Sequence, residues 1–188
     1  MNRKSSITII LLAIFITSLA GATVLAQNVK NPDTFMKATY NSVETLDPAF
    51  MSASSTFELS INVFDSLLDH PPGDSETTIP SLSSKVPSRE NGLIKVLEDG
   101  TTKIHFPIRE GVKFHNGATL TPEDIEYTYE RAILIGGINE IYSLMTSSLI
   151  GSSDFNTLVE EVGYDAAYDK LDAAIEVEDG VLVFTLPE

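Results

Sequence analysis

The stretch KIHFPIREGVKFHNGATLTPEDIEYTYERAIL, Lys103–Leu134, contains a strand, a glycine-punctuated connection and a helix in succession. Ile104, Phe106 and Ile108 alternate with Lys103, His105 and Arg109, the period of a strand with one buried face. Gly111 and Gly117 bracket a short apolar pair, Val112 and Phe114, and mark sharp turns. Thr121 is a natural N-cap, and Pro122 suits the first helical position because its missing N–H would be unpaired there. Glu123 and Asp124 place negative charge at the positive end of the helix dipole, and Asp124 has the spacing of a capping box. Ile125, Thr128, Tyr129, Ala132 and Ile133 form one stripe at helical spacing. Physically the whole stretch is scaffold.

Two hairpin signals lie around it. Asp99-Gly100 joins Ile94–Glu98 to Thr101–Ile108, and Asp179-Gly180 joins Ala173–Glu178 to Val181–Leu186. Pro107 cannot donate to a ladder, so its strand is expected to reach an edge or a bulge there. Upstream, Phe35–Tyr40 reads as a first strand, broken by the turn Glu44–Pro48. Phe57–Leu68 carries Ile61, Phe64 and Leu68 at helical spacing, which predicts a helix capped by Ser54 or Ser55, with Ser66–Asp69 open to an extended reading. Residues 70–84, rich in Pro, Ser, Thr and Gly, read as a loop. Downstream, Glu140–Ile150 is expected to be helical, and Phe155–Leu171 has a helical pattern. The elements together predict an α+β fold: a mixed sheet with hairpins and packed helices.

The amino terminus has a different character. Arg3 and Lys4 precede the apolar run Ile7–Leu19, and Val24-Leu25-Ala26 offers a cut ahead of Gln27. Residues 1–26 therefore read as a secretory signal peptide, with an uncleaved anchor as the alternative. Residues 27–188 are long enough for one ordinary domain. The chain has no cysteine, which excludes disulfides, thiolate nucleophiles and cysteine-based metal sites. It has 12 basic and 27 acidic residues, a net charge of −15. Loss of Arg3 and Lys4 with the leader would make that −17. Such a balance disfavours nucleic acid and anionic membranes as partners.

Catalytic equipment is not visible. His70, His105 and His115 lack metal-ligand spacing. No G-x-S-x-G motif occurs, and the glycines do not have phosphate-cradling spacing. Glu160-Glu161 and Glu123-Asp124 fit a solvated face and a helix cap better than acid–base machinery. Tyr127 and Tyr129 fit helix packing better than ligand stacking. No enzyme activity, metal or other cofactor is expected.

The opening stretch nevertheless resembles a family. Ile108-Arg109-Glu110-Gly111-Val112-Lys113-Phe114-His115-Asn116-Gly117, followed by Leu120-Thr121-Pro122-Glu123-Asp124-Ile125, is similar to the signature of extracytoplasmic solute-binding proteins that serve peptide ABC importers, the oligopeptide- and dipeptide-binding family. Thr45-Leu46-Asp47-Pro48, Asn62–Leu68 and Val181–Pro187 agree with that family in order. The resemblance covers about Phe35 to Glu188, and the leader fits an exported, periplasmic or otherwise extracytoplasmic protein.

The resemblance implies the N-terminal part of lobe I of a two-lobed periplasmic-binding-protein type II fold, with the second lobe absent. Family members are more than twice this length, so the chain is expected to be a fragment. It implies a substrate-binding component of an ABC importer, holding an extended peptide in an inter-lobe cleft by strand pairing. Ser52, Ala53 and Ser54, just after the Leu-Asp-Pro turn, are implied to border the cleft, and Tyr142 is the nearest match to a contributing aromatic. The implied partners are a peptide or small solute and ABC permease subunits, with a monomer as the expected state when complete. Arg109 and Asp124 are expected to be fold-forming. A second reading keeps the family with a non-peptide solute, such as a nickel chelate or an oligosaccharide. A third, from another class, is a secreted interaction or sensory module without a transport role.

Overall fold

The computed structural model describes residues 33–34, 37–38, 42–43, 45–136 and 140–188, the last segment for its backbone alone at 140–142. The expected leader lies outside these residues, and so does most of the expected strand Phe35–Tyr40. Contacts divide the chain into Met1–Thr39 and Tyr40–Glu188, and every described element belongs to the second part. Its first element is a 3-10 turn, Pro48–Phe50, whose N-cap Asp47 accepts the Ala49 N–H at 3.2 Å. The helices are α1 (Ser54–Ser60), α2 (Pro122–Leu134), α3 (Glu140–Ile150), α4 (Phe155–Val162) and α5 (Tyr164–Asp172). The strands are β1 (Leu68–Asp69), β2 (Ile79–Pro80), β3 (Ile94–Val96), β4 (Thr102–Phe106), β5 (Ile175–Glu178) and β6 (Val181–Leu186). This is an α+β architecture, as the alternation of hairpin and helix signals predicts.

Among the described residues the main sheet is antiparallel throughout and not mixed as expected, because both hairpins and the β4–β6 seam that joins them pair antiparallel, in the order β3-β4-β6-β5. The Asp99-Gly100 and Asp179-Gly180 signals both produce hairpins, with Lys95 opposite Lys103 in one and Val177 opposite Leu182 in the other. The two hairpins join through β4 and β6, where Phe106 faces Leu182 and Ile104 faces Phe184. Strand β4 stops at Phe106, before Pro107. The Pro107 carbonyl then accepts the Ser84 N–H at 2.8 Å, and Ser83 bridges to Ile108. The proline thus ends the sheet, and the chain continues by pairing with residues 82–84.

The core lies between the sheet and the helices. Ile125 and Ile133 of α2, Ile150 of α3, Leu158 of α4 and Leu171 of α5 meet Ile175 and Leu182 of the sheet, all buried. Each such side chain contributes about 1.5–3 kcal/mol on leaving water. Tyr129 packs edge-on against Phe184 at 5.0 Å between ring centroids, and Phe106 meets the same ring at 5.4 Å. Tyr127, expected to pack, is exposed instead, because the stripe centred on Ile125, Tyr129 and Ile133 turns it outward. Val183 is fully buried although it points away from Leu182 and this core. On its side Lys103 of β4 and Glu178 of β5, the strands flanking β6, bond at 2.5 Å, so their bridge passes over it.

Helix α2 begins as its sequence dictates. Thr121 is the N-cap, Pro122 is the first residue, and the Asp124 carboxylate accepts the Thr121 N–H at 2.8 Å. The Phe155–Leu171 pattern resolves into two helices, because Gly163 ends α4 and starts α5 with φ 86° and ψ 159°. Two further expectations are corrected. The helix expected over Phe57–Leu68 covers Ser54–Ser60, with Ala53 rather than Ser54 or Ser55 at its N-cap and no side-chain cap bond. At its end side chains bond its last carbonyls: the Ser60 hydroxyl donates to Phe57 O at 2.8 Å, and the Asn62 amide to Glu58 O at 2.7 Å, while the Asn62 N–H shifts to Leu59 O. The expected loop 70–84 contains β2, which pairs with β1 and so returns the chain to Leu68.

Candidate functional site

The early end of α1 leaves an apolar surface. Phe57, Leu59, Ile61, Val63 and Phe64 are all exposed, Ile61 at 75 %. Val63 and Phe64 form one wall of a hollow of about 450 Å³. The turn Val112–His115 forms a second wall, and Ile125, Thr128 and Tyr129 of α2 form the floor. A site of this volume, mostly apolar with a few polar groups, has the character of a small-ligand pocket.

Each wall is fixed by backbone bonds. In the turn, Leu120 N–H donates to Val112 O at 2.9 Å, Phe114 N–H to Ala118 O at 2.9 Å, and Gly117 N–H to Phe114 O at 2.8 Å. Gly117, at φ 88°, supplies the left-handed conformation that this reversal requires. The opposite wall is held where Leu82 N–H donates to Ser66 O at 3.0 Å and Ser83 N–H to Leu67 O at 3.0 Å. Arg109 N–H donates to Leu82 O at 2.9 Å, which ties the two walls together.

The carboxylate, ammonium and imidazole groups around the hollow are those of Asp65, Lys113, His115 and Asp124, beside the hydroxyls of Ser66 and Thr128. Asp124 is already engaged in capping α2. The Lys113 ammonium has a long 3.4 Å bond to Gly117 O. A second hollow of about 330 Å³ adjoins the first, shares Asp65, Leu82 and Val112 with it, and adds Arg109. Among the described residues no group of His, Asp or Glu is arranged to hold a metal ion.

The segment implied by the resemblance lies elsewhere. Ser52 and Ser54 are exposed and Ala53 is half-buried, at the entry to α1, outside the lining of both hollows. Beside them the Ser55 hydroxyl is buried without a hydrogen-bond partner among the described residues. Tyr142 belongs to α3, and its side chain lies outside the described residues. Arg109, expected to be a surface residue or an inter-segment pair, is exposed and forms no ion pair among the described residues. Besides Lys103–Glu178, a second long-range pair joins Arg131 to Asp47, at 3.0 Å and 2.6 Å. Hydrogen bonding from Arg131 holds the Asp47 carboxyl below its usual range. Sequence reasoning missed both the hollow and this pair, since neither has a local pattern.

Residues 82–188 match the family described as bacterial extracellular solute-binding proteins, family 5 Middle. The chain belongs to this family. Among solved structures it is similar to OppA of Burkholderia pseudomallei, with 16 % identity and a TM-score of 0.51, over 78 % of this chain and 25 % of that one. A periplasmic oligopeptide-binding protein of an oligopeptide ABC transporter, OppAIV of Borrelia burgdorferi, is 20 % identical, with a TM-score of 0.47, over 77 % of this chain and 26 % of that one. The chain thus spans about a quarter of the length of these structures. No curated protein matches it. The likeness to the first structure is one of fold. Among the described residues no helix is long and apolar enough to cross a membrane.

Proposed function

We propose that this chain is the N-terminal part of lobe I of an extracytoplasmic substrate-binding component of an ABC importer, and that its ligands are peptides. The family match over residues 82–188 carries the reading. The fold likeness to OppA and the resemblance of residues 108–125 to the signature of binding proteins that serve peptide importers support peptides as the solute class. In this reading residues 1–26 export the protein, a peptide and permease subunits are its partners, and it catalyses no reaction. Ser52, Ala53, Ser54 and Tyr142 border the cleft, and the ligand pairs its main chain with exposed backbone, so varied side chains are tolerated. Two lobes closing on a hinge would trap it.

The test is the solute that co-purifies with protein produced from its complete gene and exported in its own host. Mass spectrometry is expected to find short peptides of mixed sequence. A uniform nickel chelate or oligosaccharide would keep the family role and replace the peptide ligand.

A further inference from the structure

We infer that Arg131 is a positioning residue for peptide binding: through Asp47 it holds the extended segment Ser52–Ser54 in the conformation that meets the ligand. This rests on the peptide reading above and adds to it a residue that itself touches no ligand. Arg131, in the last turn of α2, donates from Nη1 to Asp47 Oδ1 at 3.0 Å and from Nη2 to Oδ2 at 2.6 Å. A planar guanidinium bonded at both prongs fixes the orientation of a carboxylate as well as its distance. Asp47 Oδ1 also accepts the Ala49 N–H at 3.2 Å, and Asp47 O accepts the Phe50 N–H at 3.1 Å. The carboxylate that Arg131 orients is thus the one on which the turn Pro48–Phe50 is built.

That turn sets the course of the residues after it. Ala49 and Met51 are each 2 % exposed, so the end of the turn is packed in place. Beyond it the backbone is extended, at φ −72° and ψ 115° for Met51 and φ −82° and ψ 140° for Ala53. Among the described residues the N–H groups of Ser52, Ala53 and Ser54 donate to no acceptor, and the hydroxyls of Ser52 and Ser54 have no hydrogen bond. An extended run with unpaired N–H groups is suited to pairing with the main chain of a peptide. With no bonds of its own, the segment takes its position from its two flanks, α1 after it and the Asp47 turn before it. A segment held beforehand binds without first giving up its conformational freedom, whereas one that the ligand must order binds more weakly. The Arg131–Asp47 pair is about one-third exposed, so it adds little to overall stability. Its effect falls on binding.

The experiment measures binding and unfolding side by side on protein produced from its complete gene. The probe is the pool of short peptides eluted from wild type by unfolding, titrated back calorimetrically. Arg131→Gln, which leaves the local cap of the turn intact, is expected to weaken binding of the pool by about fivefold or more. Asp47→Asn, which keeps an oxygen for the Ala49 N–H, should weaken it to the same extent, and the double variant no further. Gly163→Ala, at the junction of α4 and α5, is the control for a purely structural cost. It should unfold at lower denaturant than Arg131→Gln and bind the pool as wild type does. If Arg131→Gln does not fold, Asp47→Asn against Gly163→Ala decides. Wild-type affinity in the folded variants, additive losses in the double variant, or a loss in Gly163→Ala as large as in Arg131→Gln overturns the role and leaves the peptide reading standing. If wild type yields no peptides and binds none, the peptide reading falls and this role falls with it.

Discussion

Asp47 and Arg131 stand 84 residues apart in sequence and join through two parallel bonds, Nη1 to Oδ1 at 3.0 Å and Nη2 to Oδ2 at 2.6 Å. The same Asp47 carboxylate caps the 3-10 turn Pro48–Phe50. One side chain therefore fixes the Leu-Asp-Pro turn locally and ties it to the last turn of α2. Both side chains are about one-third exposed, so solvent screens their attraction. A double-mutant cycle with Asp47→Asn and Arg131→Gln is expected to give a coupling of about 0.2–1 kcal/mol, read from urea denaturation.

The pair also sets a pH dependence. The folded-state carboxyl of Asp47 is lowered from 3.8, first by hydrogen bonding from Arg131. Its contribution is therefore complete above the unfolded value and is lost as pH falls through the lowered folded value. The wild type and Asp47→Asn should differ in midpoint at pH 6 and converge in acid below the lowered folded value. A difference that persists unchanged in strong acid would mean that the carboxylate charge contributes nothing.

Gly163 is both the last cap of α4 and the first of α5, at φ 86° and ψ 159°. That region of backbone space is open essentially to glycine alone. No atom lies within 4 Å of where a Cβ would stand, so the cost of a side chain is backbone strain and not collision. Gly163→Ala should lose about 1–3 kcal/mol in denaturant unfolding. An unchanged midpoint would show that α4 and α5 can join in another conformation.

Glu130 lies on α2 with Glu126 and Asp172 nearby, and its carboxyl is raised above 4.5, first by burial and then by those two charges. Glu126 is raised for the same leading reason, with Asp172, Glu123 and Glu176 adding to it. A folded-state value above the unfolded one means that stability falls as pH rises from the unfolded value through the folded one. Glu130→Gln should therefore raise the thermal midpoint at pH 7, and the gain should vanish below pH 4. A lower midpoint at pH 7 would contradict the assignment.

The parts of this fold that sequence reveals are those decided within a few residues. Thr121, Pro122 and Asp124 start α2 through their own side chains, and the two Asp-Gly dipeptides turn the hairpins. The end of α1 was hidden because apolar residues continue at Ile61, Phe64 and Leu68, while the carbonyl-capping bonds of Ser60 and Asn62 carry no such period. Ile61 matches the helical pattern and is the most exposed of the large apolar side chains in that segment. The hollow was hidden for a related reason. It needs Phe64, Phe114 and Tyr129 together, which only the pairing of residues 66–67 with 82–83 and the turn at 112–120 brings about. Ser52–Ser54 and Tyr142 were legible only through resemblance, since small serines and a lone tyrosine carry no physical signature of a site.

Those four residues make a separate prediction about the cleft. If Ser52, Ser54 and Tyr142 border the ligand, then Ser54→Trp and Tyr142→Ala should each weaken peptide binding by about tenfold or more, a loss of about 1.4 kcal/mol. Their unfolding midpoints should remain within about 0.5 kcal/mol of wild type for Ser54→Trp, an exposed position. Wild-type peptide affinity in both variants would move the cleft away from the start of α1.

The peptide-binding role is tested most directly by isothermal titration calorimetry on protein produced from its complete gene, stripped of co-purified solute by unfolding and refolding. Titration with a mixture of short peptides should give saturable heat, and titration with oligosaccharides or a nickel chelate should give none. Saturable heat from a sugar or a chelate, with none from peptides, would contradict it.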